Sequence, residues 1–507
     1  MDLFLALLPA LIMITLVIIT RKVLISLGVG IFLASLIYAQ FNIIDALAYI
    51  WGSFTGIVTD FEWYMPILGF VVIIGGITAV ITLQGGVKAF AEWAVSKVKN
   101  PVAAQMVTWV LGLIICIDDY FNALVIGEVS KPITDRYSVS RAKLAYIIDS
   151  TSAPVVVLMP VSTWGAYIIG MLGGLFTTAG YTAHNGLTGF VSAIPFQFYP
   201  IAAIIMVLLV IRNNINLGAM KSFEASAAEG NDISKMASAK EVSTVAIEGK
   251  KATHWNLIIP IVVLVLVTIF VMWMNAGFVF ADIMGVDITI PLFLGGVSAF
   301  VLAVIFALLD RNVKLKSIAI VSGKGIFAMF KSAAAILVLA WMVSGAIQDL
   351  GTGDMIADVI SGSSLAATIL PLILFMVAGG IAFATGTSWG SFGILLPIAV
   401  PIALATDPTL MVAMIAAVLG GAVFGDHSSP VSDTTVLSAT GAQSTLHAHF
   451  VTQLPYALVT AGIAAIGYLF FGVLGHFIPN IIALFIAYAV IGACIFFFVT
   501  WQKKKQQ

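Results

Sequence analysis

Long apolar runs, separated by short polar turns, fill the chain. They cover residues 3–20, 23–39, 64–84, 144–175, 187–211, 255–275, 289–309, 326–348, 366–406, 410–442, 450–472 and 481–500. Helices that satisfy every backbone polar group internally are the only open-ended elements that cross a bilayer, and about 20 apolar residues suffice for one. The pattern therefore predicts an all-α polytopic membrane protein. The positions of Lys and Arg set its orientation. All 23 fall at 21–22, 88–99, 131–143, 212–251, 311–331 and 503–505. Cytoplasmic loops carry the excess of Lys and Arg, so these clusters mark the inner side. The turns near Asp45, Asp60 and Glu62, near Asp282 and Asp287, and near Asp349, Asp354 and Asp358 fall outside. Between Lys99 and Lys131, both inside, lie 31 residues. Two full spans need roughly 40, so Pro101–Ser130 reads as a re-entrant hairpin with Asp118, Asp119 and Asn122 at its tip.

Composition agrees: of 507 residues 61% are hydrophobic and only 9% charged, against about 25% charged in soluble domains. The net charge of -1 averages over two environments and says nothing of partners. Cys116 and Cys494 lie in apolar runs and predict neither a disulfide nor a metal site. Arg21 and Lys22 follow the first apolar run, which argues for a retained span and against a cleaved secretory signal. Residues 212–254 hold six basic and five acidic residues and are rich in Ala, Ser, Lys and Glu. They read as a cytoplasmic connector with one amphipathic helix. The chain thus divides into a first transmembrane repeat (1–211), the connector (212–254), a second repeat (255–475), and an extra span with a basic cytoplasmic tail (476–507).

The two repeats read alike in opposite orientation: two spans, one span, a hairpin, a broken span and a span. Asp149-Ser-Thr-Ser-Ala-Pro154-Val in the first resembles Asp426-His-Ser-Ser-Pro430-Val in the second. Inverted repeats whose discontinuous helices meet at the midplane are the build of many secondary transporters.

The chemistry concentrates at those breaks. Gly425 to Thr435, GDHSSPVSDTT, sits in the longest window without Lys or Arg, 332–502. Ionisable groups at membrane depth are costly and point to function. Proline among Ser and Thr is a poor continuation of a helix. Backbone freed at that depth is tolerated where it lines a polar cavity. The candidate cation and proton ligands are Asp118, Asp119, Asn122, Asp149, Ser150, Ser152, Thr387, Ser388, Asp426, His427, Ser428, Ser429, Asp433 and Thr434. A carboxylate buried without a cation takes up a proton or binds a metal ion. Those two occupancies alternate in a proton-coupled cation exchanger. Carboxylates, hydroxyls and freed carbonyls are the oxygen ligands a hard monovalent cation needs. His427 adds a side chain of the type whose unperturbed pKa is near neutral, a candidate source of pH dependence, with a satisfied core histidine as the equal alternative. Asp118 and Asp119 are adjacent and cannot share one helix face. Each hydroxyl also has a bland use, bonding back to its own helix. Glu128 and Asp135 read as salt partners of the inner basic loop, His447 and His449 as solvated histidines at a cytoplasmic helix end.

Along GDHSSPVSDTTVLSATGA the sequence resembles the NhaC-type Na+/H+ antiporter family of the ion transporter superfamily. IDDYFNALVIG and IIDSTSAPVVVLMPVSTWGAYI are similar to its first-half motifs. Ser428 stands where the family pattern has other small residues. The resemblance implies exchange of Na+ or Li+ for H+ across a bacterial inner membrane, with no bound cofactor and no nucleic-acid partner. It also implies a scaffold plus a transport domain moving as an elevator, and a homodimer. Similar proteins exchange malate and lactate with ions, and others resemble amino-acid carriers, so a carrier of a small organic solute is the alternative. The acidic breaks offer no Arg to clamp an anion, which favours an amino acid over malate. An ion channel has no repeated pore motif to support it. An intramembrane hydrolase would rest on Gly386-Thr-Ser388-Trp-Gly390, which follows no strand. There is no G-x-x-x-x-G-K-[ST] to drive an ATP pump.

Overall fold

In the computed structural model of the chain the described residues are 3–20, 22–86, 89–90, 98–235, 249, 252–310, 312–351, 355, 368–430, 432–475 and 477–506. Among them the structure is helical, and the one β-type contact is an isolated bridge between Lys235 and Ser444. Seven described helices are long and apolar enough to cross a membrane, and a bent pair makes an eighth.

The first half begins with α1 (Leu3–Thr20), α2 (Val23–Tyr38), α3 (Ile43–Val58) and α4 (Tyr64–Gln84). Helix α3 falls in the stretch read from sequence as an outer turn. It is amphipathic: Ile43, Ile44, Leu47, Trp51 and Phe54 are exposed, while Tyr49 donates to Asp349 at 2.6 Å. Asn42 caps it through the Ile44 N–H. The amphipathic stretch expected at 88–99 lies largely outside the described residues, as do Asp354 and Asp358.

Next come α5 (Pro101–Ile114) and α6 (Asp119–Arg136), then α7 (Arg141–Ser150), the one-turn α8 (Ala153–Val156) and α9 (Thr163–Thr178). The segment 187–211, expected to be one span, consists of α10 (Gly186–Ala193) and α11 (Phe198–Asn213), bent by 50°. Pro195 and Gln197 lie in the bend, and proline supplies no N–H to continue the ladder.

The connector contributes α12 (Met220–Ala228) and folds onto the transmembrane body. Glu224 accepts from the Ser140 N–H at 2.8 Å, Asp232 from the Arg141 N–H at 2.9 Å, and Ser234 from the Ala142 N–H at 3.1 Å. These are the free donors of the first turn of α7, which acidic side chains satisfy well. The Ser234 carbonyl also accepts from the Thr445 N–H at 2.8 Å.

The second half holds α13 (Trp255–Asn275), α14 (Thr289–Leu309), α15 (Leu315–Met329) and α16 (Ala335–Asp349), the last two joined through a π-helical turn at Phe330–Ala334. The expected span 326–348 therefore begins a helix earlier, at Leu315. Then follow α17 (Leu370–Thr385), α18 (Ser388–Thr406), α19 (Met411–Ser428), α20 (Asp433–Ala442), α21 (Leu446–Gly475) and α22 (Asn480–Gln506).

Two packing groups emerge. Helices α13, α14 and α15 pack on α4, and much of the apolar surface of α13 and α14 stays exposed, as with Leu266, Phe270, Leu294 and Val301. In the other group α17 and α18 sandwich α19, and α20 packs on α6 and α7. Glycine allows the last contact: a Cβ on Gly127 would stand 2.3 Å from the carbonyl carbon of Gly441. Backbone-to-backbone approach of α6 and α20 brings the two halves of the chain together beside the acidic residues.

Candidate cation and proton site

Asp426 lies near the C-terminus of α19, 2% exposed. Its Oδ2 accepts from Ser388 at 2.7 Å, and its Oδ1 accepts from Ser432 and, at 3.3 Å, from Thr434. Three local decisions of the chain place these hydroxyls. Gly386 ends α17 in the left-handed region, φ +73°, so α18 restarts at Ser388 with its first turn facing α19. Its carbonyl accepts from the Asp433 N–H at 3.3 Å, which ties the hairpin to α20. Ser432 is the N-cap of α20, accepting from the Thr435 N–H at 3.2 Å. One helix C-terminus and two helix N-termini thus converge. Their partial charges give a carboxylate there both favourable donors and cation-friendly carbonyls.

The hairpin tip of the first half faces this junction. Asp118 is the N-cap of α6: its Oδ1 accepts from the Phe121 N–H at 2.9 Å and its Oδ2 from Thr163 at 3.1 Å. That carboxylate is spent on structure. Asp119 accepts from the Trp164 indole at 3.1 Å through Oδ1, while its buried Oδ2 has no hydrogen-bond partner. The next residue, Tyr120, donates to Asp433 on α20 at 3.2 Å, which ties this tip to the α19–α20 junction. Asn122 donates to the carbonyls of Gly112 at 2.9 Å and Ile115 at 2.7 Å, closing the end of α5, and its Oδ1 is buried without a partner. Ser152 donates to the Asp119 carbonyl at 2.6 Å.

Other expected ligands are directed elsewhere. Ser428 bonds back to the Phe424 carbonyl at 2.7 Å, and Ser429 donates to the Phe383 carbonyl at 2.7 Å. Thr387 is the N-cap of α18 but makes no capping bond. Asp433 is exposed and accepts from Tyr120 at 3.2 Å. Ser150 is buried and lines a small cavity with Tyr199, His427 and Gln453.

Asp149, at the break between α7 and α8, is fully buried. Its Oδ1 accepts from Ser438 at 3.1 Å. Its Oδ2 accepts from Gln453 at 2.5 Å and lies 3.3 Å from His449 Nε2. His427 Nε2 stands 3.9 Å from the same oxygen, and His427 Nδ1 pairs with the Tyr199 hydroxyl at 3.0 Å. His449 is therefore a buried partner of Asp149 and not a solvated end residue; His447 is exposed. Asp135 does pair with basic residues, Arg141 at 2.5 Å and Lys235 at 3.7 Å.

Sequence reasoning missed Ser432, Ser438, His449, Gln453, Trp164 and Thr163 as partners. Ser432 carried a readable signal, a hydroxyl two residues after Pro430 at the start of a helix, the place for an N-cap. The others sit in unremarkable helical sequence and are joined to their aspartates only by the fold.

The element order finds a match in a solved structure, the YdaH transporter of Alcanivorax borkumensis. The TM-score is 0.55 over 86% of this chain and 90% of that one, at 13% identity, a likeness of fold. An uncharacterised protein of Haemophilus influenzae is 39% identical over 477 residues, 92% of this chain and 90% of its own. An uncharacterised Na+/H+ antiporter of the same organism is 36% identical over 92 residues, 18% of this chain and 19% of its own. The model of the Na+/H+ antiporter family matches residues 155–473, from just past the α7 break to the end of α21. The chain is a multi-pass membrane protein of the Na+/H+ antiporter family.

Proposed function

We propose that the protein exchanges Na+ (or Li+) for H+ across a bacterial inner membrane by alternating access, at a site built on Asp426. The observation that carries this reading is the surroundings of that carboxylate. It is buried and contacted by three hydroxyls, and on the hairpin tip tied to the same junction Asp119 keeps one buried oxygen unbonded. Hydroxyls turn either way: they donate to a bare carboxylate and present lone pairs to a cation. No Lys or Arg contacts Asp426 among the described residues, so the charge is balanced by Na+ or by a proton, and binding one disfavours the other.

The same arrangement supports an inverted-repeat, elevator-like machine. Helix α7 enters from the connector side and breaks at Asp149. Helix α20 leaves toward that side, its Ala442 carbonyl accepting from Arg141 at 2.8 Å, so α19 reaches Asp426 from the opposite side. Helices α5–α8 and α17–α20 form the moving body, and α4 with α13–α15 the scaffold. The basic connector and the C-terminal Lys residues face the cytoplasm.

The test uses proteoliposomes with an entrapped pH-sensitive dye, challenged with NaCl, LiCl, KCl, single amino acids and malate. The expected result is proton movement driven by Na+ or Li+ without organic solute. A signal that appears only with an amino acid or malate would instead make the protein an ion-coupled solute carrier.

A further inference from the structure

We infer that His449 and Asp149 form a proton station separate from the cation site, passing protons between Asp426 and the connector side of the membrane. The inference rests on the reading of Asp426 as the cation site and adds the route its proton takes. Both residues are 0% exposed. His449 Nε2 and Asp149 Oδ2 are 3.3 Å apart, while His449 Nδ1 and Gln453 Oε1 are buried without hydrogen-bond partners. A buried imidazole nitrogen left unbonded is costly unless it is used. Contacts link the pair to the connector on one side and to the neighbour of Asp426 on the other. His449 is one turn into α21, whose start is tied to the connector through Thr445. Asp149 is eight residues, about 12 Å, along α7 from Arg141. Beyond it stands His427, the sequence neighbour of Asp426.

The donors around Asp149 also separate it from a cation site. The amide of Gln453 directs an N–H at it, and an amide N–H offers no lone pair to Na+, while His449 presents a ring nitrogen at 3.3 Å. A protonated His449 would repel the cation. The charged and titratable groups facing the pair are His427 and Asp426 from α19, Tyr199 from α11, Tyr456 from α21 and Tyr146 on α7 itself. Lys143, at the connector end of α7, is held by Glu224 at 3.3 Å.

The transfer balances simply. Neutral His449, carrying its proton on Nε2, accepts a second at Nδ1 and becomes imidazolium. It gives the Nε2 proton to Asp149 Oδ2, leaving a neutral ring and a neutral acid. The acid then loses that proton towards Asp426 as Na+ leaves, and the ring resets by releasing its Nδ1 proton while Nε2 takes one up, a tautomer exchange with no net change in protons.

The experiment compares H449Q and D149N with the wild type in two assays on the same proteoliposomes: Na+/H+ exchange by the entrapped dye across pH, and 22Na+/Na+ exchange at equal pH. Sodium self-exchange needs the cation site but no net proton transfer. Both variants should lose Na+/H+ exchange by at least about tenfold, the scale of a lost proton-transfer group, and keep 22Na+/Na+ exchange within about twofold. Wild-type Na+/H+ rates and pH profile in H449Q would overturn the inference. So would a parallel loss of both modes in folded protein, which would make the pair a packing element. Absence of 22Na+/Na+ exchange in the wild type would be the separate failure of the cation-site reading.

Discussion

Asp426 and Asp149 are both buried carboxylates at helix breaks, yet their surroundings differ in one chemical respect. Asp426 is met by hydroxyls, from Ser388, Ser432 and Thr434. Asp149 is met by one hydroxyl, Ser438, and by nitrogen atoms, those of the Gln453 amide and the His449 ring. A hydroxyl group is donor and acceptor at once, so its carboxylate can be refilled by a metal ion without reorganising the wall. An amide nitrogen is a donor only. On the proposed reading, two aspartates at similar Ser- and Pro-containing breaks divide the work of an exchanger: Asp426 holds the cation or its competing proton, and Asp149 relays the proton.

The largest effect that would sharpen this contrast is D426N, expected to abolish both Na+/H+ and 22Na+/Na+ exchange, by more than about a hundredfold, while the protein stays folded in the membrane. Retained self-exchange would move the cation elsewhere. Next is S432A. It removes a ligand hydroxyl and the N-cap of α20, so thermal unfolding should show a loss of about 1 kcal/mol, with a rise in the KM for Na+. S388A removes a ligand but no cap, and should raise the KM without that stability loss. The proposed competition of proton and Na+ for Asp426 predicts that the apparent KM for Na+ rises as pH falls, by at most about tenfold per pH unit for one proton against one ion. A KM flat from pH 6 to 9 would break the competition. Smallest are D433N and S428A. Asp433 is exposed at the rim and the Ser428 hydroxyl bonds its own helix. Both should leave exchange rates within about twofold and stability within about 0.5 kcal/mol.

Most of the membrane-spanning helices were legible, because an apolar run of that length has no other stable solution. The breaks were legible too, since Pro154 and Pro430 sit among hydroxyls and acids. What the sequence left open is which polar atoms meet. The partners of Asp149 lie 289 to 304 residues away, and no periodicity links Ser438, His449 and Gln453 to it. His449 in particular follows His447 at a helix start and carries no local mark of burial. The clustering of Ser428 and Ser429 beside Asp426 suggested ligands, but on a helix ending at Ser428 their hydroxyls fall on carbonyls of Phe424 and Phe383. The bend at Gln197 had a local mark in Pro195, which an apolar run of spanning length hides, and the apolar residues of α3 are interrupted too often to read as a span.

The most direct measurement is Na+ binding by calorimetry to purified wild type, D426N and D149N in detergent, at a pH where the wild type exchanges. The division of labour predicts that D426N loses the binding isotherm and D149N keeps it, with Kd changed by no more than a few-fold. Loss of binding in D149N with binding retained in D426N would contradict it, placing the cation among the nitrogen donors and not among the hydroxyls.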